Sequence, residues 1–209
     1  MRKFVWFCLV VLLGGCATKV VRIHGPANMQ AYEERHGKVA EIPSFELRGR
    51  VGIRTVDKGW SGGLVWSQQG EQLDIRFRGP LGTGGIQVTG DAENLRVQTS
   101  RGDDFMTSEA ELDFTEEFGG SLPVRALRYW MLGIPYPGDS FEQLEVGQDG
   151  LLWSMSQNGW QVEFANYAYV VGESEDGQIL RLPDRLRISH GNFMIKLVIK
   201  DWALPDSCD

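Results

Sequence analysis

From residue 45 onward the chain alternates apolar and polar residues with a period of two. Phe45, Leu47, Val51 and Ile53 alternate with Glu46, Arg48, Arg50 and Arg54, and Leu73, Ile75 and Phe77 alternate with Asp74, Arg76 and Arg78. Successive side chains of a strand point to opposite faces, so each run predicts a strand with one apolar and one wet face. The pattern recurs at Leu64 and Trp66, Ile86 and Val88, Leu95 and Val97, at Trp160, Val162 and Phe164, and at Ile195, Leu197 and Ile199. Gln69-Gly70, Gly90-Asp91, Asn158-Gly159 and Gly191-Asn192 supply turns between the runs. Many short, one-faced strands at this spacing predict a mainly β protein, an antiparallel sheet curled round an apolar interior.

Three segments depart from the period. Residues 29–40 (MQAYEERHGKVA) predict a short amphipathic helix weakened by Gly37. Residues 108–118 open with Ser108 and Glu111 in a capping-box arrangement, and residues 123–132 start with Pro123 and stop at Gly133. Two consecutive helices amid strands predict a flap over one end of the sheet. Leu127, Trp130 and Met131 fall on one side of the second helix, a stripe that ordinary core packing also explains.

The N-terminus adds a different signal. Arg2 and Lys3 precede ten consecutive apolar residues at 4–13, too short a run to span a bilayer and suited to a cleaved export signal over 1–15. Leu13-Gly14-Gly15-Cys16 resembles a bacterial lipobox, in which Cys16 becomes the acylated first residue of the mature chain, and by resemblance to sorted lipoproteins Ala17 rather than Asp after it implies forwarding to the outer membrane. Two or more acyl chains hold a protein firmly where one binds only reversibly. Residues 16–28, with Gly25 and Pro26, then read as lipidated N-terminus and tether, 29–202 as one folded domain, and 203–209 as a polar tail. Cys8 leaves with the signal and Cys16 is consumed, so Cys208 has no partner for an intramolecular disulfide.

Composition narrows the chemistry. The 209 residues carry 21 Lys and Arg against 28 Asp and Glu, a net charge of −7; loss of Arg2 and Lys3 leaves 19 basic residues and −9. An acidic chain without a basic run is not expected to bind nucleic acid. Three scattered His and three Cys predict no metal site, and no cofactor motif occurs: the glycines of 79–85 lack a following Lys-Ser or Lys-Thr. His24, His36 and His190 read as solvated surface residues rather than as bases serving a nucleophile, so the expectation is a protein that is not an enzyme. Leu81 stands out between Pro80 and Gly82, because a bulky apolar residue at a turn either folds back into the core or is presented to something apolar outside.

Several motifs, in this order, carry a resemblance: the lipobox, Arg48-Gly49-Arg50, Gly-Pro-Leu-Gly at 79–82, the 122–135 stretch with Leu-Arg-Tyr-Trp-Met-Leu-Gly-Ile-Pro, Gln157-Asn158-Gly159-Trp160, and Lys-Leu-Val-Ile-Lys-Asp-Trp at 196–202. Together they resemble the LolB family of outer-membrane lipoprotein receptors. The resemblance implies a half-open antiparallel β-barrel with a short helical lid, enclosing a hydrophobic cavity that takes acyl chains of lipoprotein cargo from a periplasmic carrier of the LolA type. It implies a monomer anchored to the outer membrane through acylated Cys16, with its domain facing the periplasm, and a loop of Pro80, Leu81 and Gly82 that acts in membrane insertion. The inward residues Phe45, Leu47, Trp66, Ile75, Phe77, Leu127, Trp130, Met131, Trp160, Phe164 and Leu197 are then the expected cavity wall. A lipocalin-like binder of a small apolar ligand, or a scaffold lipoprotein of an envelope assembly, are the alternatives these residues leave open.

Overall fold

The structure is a computed structural model that describes residues 26–82, 84–91, 93–107, 112–113, 121–172 and 177–205. The export signal, Cys16, the side chain of Leu81 and Cys208 lie outside the described residues. Helix α1, Met29–Ala40, is capped by Asn28, whose side chain accepts from the Ala31 N–H at 3.1 Å. Strands β1 (Ser44–Arg54), β2 (Gly59–Gln69), β3 (Gln72–Arg78), β4 (Gly85–Gly90), β5 (Leu95–Thr99) and β6 (Asp104–Thr107) follow as an antiparallel meander. Two-residue strands β7 (Leu112–Asp113) and β8 (Ser121–Leu122) pair with each other and lead into helix α2, Val124–Leu132. A second meander, β9 (Phe141–Val146), β10 (Leu152–Gln157), β11 (Trp160–Val171), β12 (Ile179–His190) and β13 (Phe193–Ala203), completes the chain.

The first and last long strands join the meanders: β1 pairs with β13, Val51 opposite Leu197 and Ile53 opposite Ile195. The result is one 11-stranded antiparallel sheet, β6-β5-β4-β3-β2-β1-β13-β12-β11-β10-β9, open at β6 and β9 and not closed into a barrel. The period-two residues are those that turn inward, so Phe45, Leu47, Val51 and Ile53 are buried while Arg48 and Arg54 are exposed. Gly49 belongs to the same inward row, and a Cβ there would stand 2.4 Å from the Val198 carbonyl oxygen. The Arg-Gly-Arg spacing thus marks a bulge where β13 crosses too near for any side chain.

Two expectations are corrected. Leu112 and Asp113 are strand, not helix, and pair with Ser121 and Leu122 of β8. The rest of 108–118 lies outside the described residues. At the other end β13 runs through Ala203 and Leu204 is buried, so packing continues past residue 202.

Candidate functional site

Helix α2 lies over the inner face of the sheet and divides it into two regions. Toward β9–β12 large side chains meet under the helix. Trp130 packs against Trp160 with ring centroids 6.0 Å apart, and Met155, Val162 and Phe164 are buried around them. Toward β1–β4 the space is hollow. A cavity of about 100 Å³ lies between Leu122, Val124, Leu127 and Met131 on the lid side and residues of β1–β4, β12 and β13 on the sheet side. Every side chain on its wall is apolar.

Of the expected wall residues, Trp66, Ile75, Phe77, Leu127, Met131 and Leu197 line this cavity. Phe45, Leu47, Trp130, Trp160 and Phe164 do not, and the cavity wall is corrected accordingly. Phe45 sits between Trp66 and Trp202, at 5.9 and 5.6 Å, and Leu47 is fully enclosed in the same packed end of β1. Sequence reasoning missed Val51, Ile53, Leu64, Ile86, Val88, Leu122, Val124, Ile188 and Ile195 on the wall. The period-two signal that selected Ile75 and Phe77 also selects Val51, Ile53, Ile86, Val88 and Ile195.

The helix is fastened at its C-terminal end. Gly133 adopts a left-handed conformation (φ 77°), its N–H donates to the Trp130 carbonyl and the Ile134 N–H donates to that of Tyr129, a Schellman closure. The buried Gln157 side chain holds that end to β10: its Oε1 accepts from Trp130 Nε1 (2.9 Å) and the Tyr136 N–H (3.0 Å), and its Nε2 donates to the carbonyls of Tyr136 (2.7 Å) and Asp139 (3.0 Å). From α1, the Arg35 guanidinium donates to the carbonyls of Leu132, Gly133 and Arg181 at 2.9 to 3.2 Å and lies over the Tyr167 ring. Burial lowers the pKa of Arg35 from its ordinary value, with Tyr167 and Tyr32 acting in the opposite direction. At the N-terminal end Pro123 makes no side-chain cap bond, and Arg128 pairs with Glu71 on the outer side at 2.9 Å.

One end of the sheet carries the β1–β2 hairpin, the Pro80–Gly82 turn and the Gly191-Asn192 turn, because β1, β3 and β12 all finish there. The Pro80 turn is closed by Gly79 N–H donating to the Gly84 carbonyl (2.9 Å) and Gly82 N–H to that of Gly79 (3.2 Å). A cleft of about 460 Å³ under this turn, lined by Trp60 and Pro80 among others, shares Phe77 and Ile86 with the cavity. The turn therefore borders an approach to the apolar interior. Among the described residues no group of His, Cys, Asp or Glu could hold a metal ion.

The family model described as "Outer membrane lipoprotein LolB" matches residues 43–202, which include nearly every strand and the whole of α2. The chain belongs to the LolB family. The "Outer-membrane lipoprotein LolB" of Stutzerimonas stutzeri is 34% identical over 197 residues, 93% of this chain and 92% of that protein. Its namesake from Nitrosococcus oceani is 29% identical over 93% of this chain and 94% of its own. Among solved structures, a LolA superfamily protein from Nitrosomonas europaea superposes with a TM-score of 0.52 at 11% identity, covering 87% of this chain and 95% of that one. A DUF1329 family protein from Desulfovibrio piger does so with the same TM-score at 8% identity, over 86% and 94% of the two chains. At such identities the shared property is the fold alone.

Proposed function

We propose that this chain is an outer-membrane lipoprotein receptor that accepts acylated cargo from a periplasmic carrier of the LolA type, shelters its acyl chains beneath α2 and inserts it into the outer membrane. The observation that carries this reading is the wholly apolar cavity left between α2 and the inner face of the sheet. Each CH₂ withheld from water is worth about 0.8 kcal/mol, so acyl chains require such a shelter at every stage of an aqueous crossing. Dispersion and dehydration, without directional bonds, suit chains of differing length.

The size of the cavity sets the mechanism. An apolar cavity of roughly 150 Å³ accommodates a benzene; at about 100 Å³ the space under α2 is too small for a full acyl chain. The lid therefore swings on its fastened C-terminal end, with Val124 and Leu127 moving away from β1–β4 as a chain enters. Hand-over needs no energy source if the receptor binds cargo more tightly than the carrier and the bilayer more tightly still, each tenfold step needing about 1.4 kcal/mol. Acylated Cys16 holds the monomeric domain at the outer membrane, facing the periplasm. The loop of Pro80, Leu81 and Gly82 delivers the cargo, Leu81 entering the lipid where its burial returns about 1.5–3 kcal/mol.

The test is a two-stage transfer assay with carrier-bound lipoprotein and liposomes. Leu81→Glu is expected to accept cargo at the wild-type rate and to insert it at least tenfold more slowly. Insertion at the wild-type rate overturns the assignment of the loop, and failure of the wild-type protein to strip cargo from the carrier overturns the receptor reading.

A further inference from the structure

Past the end of the apolar cavity the inner face of the sheet continues for one more rank and changes chemistry. His190 lies two residues beyond Ile188 on β12 and Phe193 two before Ile195 on β13, so each shares its neighbour's face, and Thr55 follows the end of β1. These three line a second cleft of about 600 Å³, with Ser121 beside wall residue Leu122 on the lid side. His190 pairs with Phe193 in the β12–β13 register, and the Gln161–Ser189 pairing brings Trp160 alongside. The imidazole lies on the indole at 5.1 Å and 30°, while Phe193 meets the same indole edge-on at 6.2 Å. Three rings thus make a stiff rim, and Lys58, Asp57 and Asn192 bring polar groups to it.

An acyl chain sheltered in the cavity ends in an ester or amide, whose carbonyl must find a donor once water is displaced. The rim supplies donors at the mouth where the chain's head would lie: the imidazole N–H of exposed His190 and the amide of exposed Asn192. Asp57 and Lys58 lie together, so their charges offset, which suits uncharged carbonyls better than a carboxylate or a phosphate. We propose that this rim cleft is the binding site for the diacylglyceryl ester linkages of an acylated head group, gripped by His190 and Asn192 while the chains lie under α2. The proposal rests on the acyl-shelter reading above and assigns the polar half of the ligand to a site of its own.

The mature chain with Cys16→Ala is the test protein. Three ligands are titrated: a fluorescent single-chain C16 hydrocarbon probe, an S-diacylglyceryl-cysteinyl peptide and a diacyl phosphatidylethanolamine. His190→Phe keeps a ring on Trp160 without the N–H, and Asn192→Ala, on an exposed turn, serves alone if the pair misfolds. One to two hydrogen bonds correspond to a loss of about fivefold to a hundredfold in affinity for the ester-bearing ligand. The C16 probe should bind both variants as it binds wild type, which also shows that the fold persists. The ligand that weakens, peptide or phospholipid, identifies the natural source of the ester. If neither weakens while the probe still binds, the rim site is overturned and the cavity reading survives; if wild type binds none of the three, the cavity reading itself fails.

Discussion

Replacing Gln157 by Leu tests how the lid is held. The side chain is 1% exposed and makes four hydrogen bonds, two as acceptor and two as donor. Leu preserves most of the volume and removes all four. The Trp130 indole N–H and the Tyr136 backbone N–H lose a buried acceptor, and a stranded buried donor costs about 1–3 kcal/mol. The carbonyls of Tyr136 and exposed Asp139 turn to water at little cost, and the added apolar surface offsets about 1 kcal/mol. The expected net loss is about 3 kcal/mol, which with a urea slope of about 2–3 kcal/mol/M lowers the unfolding midpoint by roughly 1–1.5 M. Trp130→Phe in the same background separates the shared bond from general packing damage: the two changes should fall short of additivity by about 1 kcal/mol. A midpoint shift under about 0.3 M, or full additivity, would refute the view that this amide fastens the lid.

Two further outcomes are expected. Leu127→Trp puts a bulky indole where the lid meets the hollow; the C16 probe should lose at least tenfold in affinity while far-UV circular dichroism is unchanged, and undiminished probe binding would locate the acyl chain elsewhere. His36 has its pKa held below the ordinary value by burial and then by the Arg35 cation. The folded state thus resists a proton that the unfolded chain accepts from about pH 6.5 downward, so stability is lost as pH falls below about 6.5 and is unaffected above it. His36→Gln should flatten the fall in urea midpoint between pH 7.5 and 5.5, and an unchanged fall would remove His36 as a cause of acid sensitivity.

What could be read in advance follows from the range of the interactions. Alternation is a local signal fixed by backbone geometry, so β1, β3, β11 and β13 were legible residue by residue, as was α2 from Pro123 and Gly133. The β1–β13 pairing that joins the two meanders spans almost the whole domain and leaves no mark in any short window. At Leu112 and Asp113 the helix expected from the Ser108 and Glu111 arrangement gives way to strand, because the partner residues Ser121 and Leu122 lie outside that local window. The limit at the site is of a different kind. Alternation tells which face a residue occupies but not whether that face is filled: Phe45 and Trp66 read alike, yet one is locked between two indoles and the other borders empty space. Filling depends on what α2 presents opposite each strand. Its stripe of Leu127, Trp130 and Met131 splits, the indole going to Gln157 across 27 residues of sequence and the two flexible side chains to the hollow. The polar residue that anchors the indole, and with it the C-terminal end of α2, is the one that a search for apolar patterns passes over.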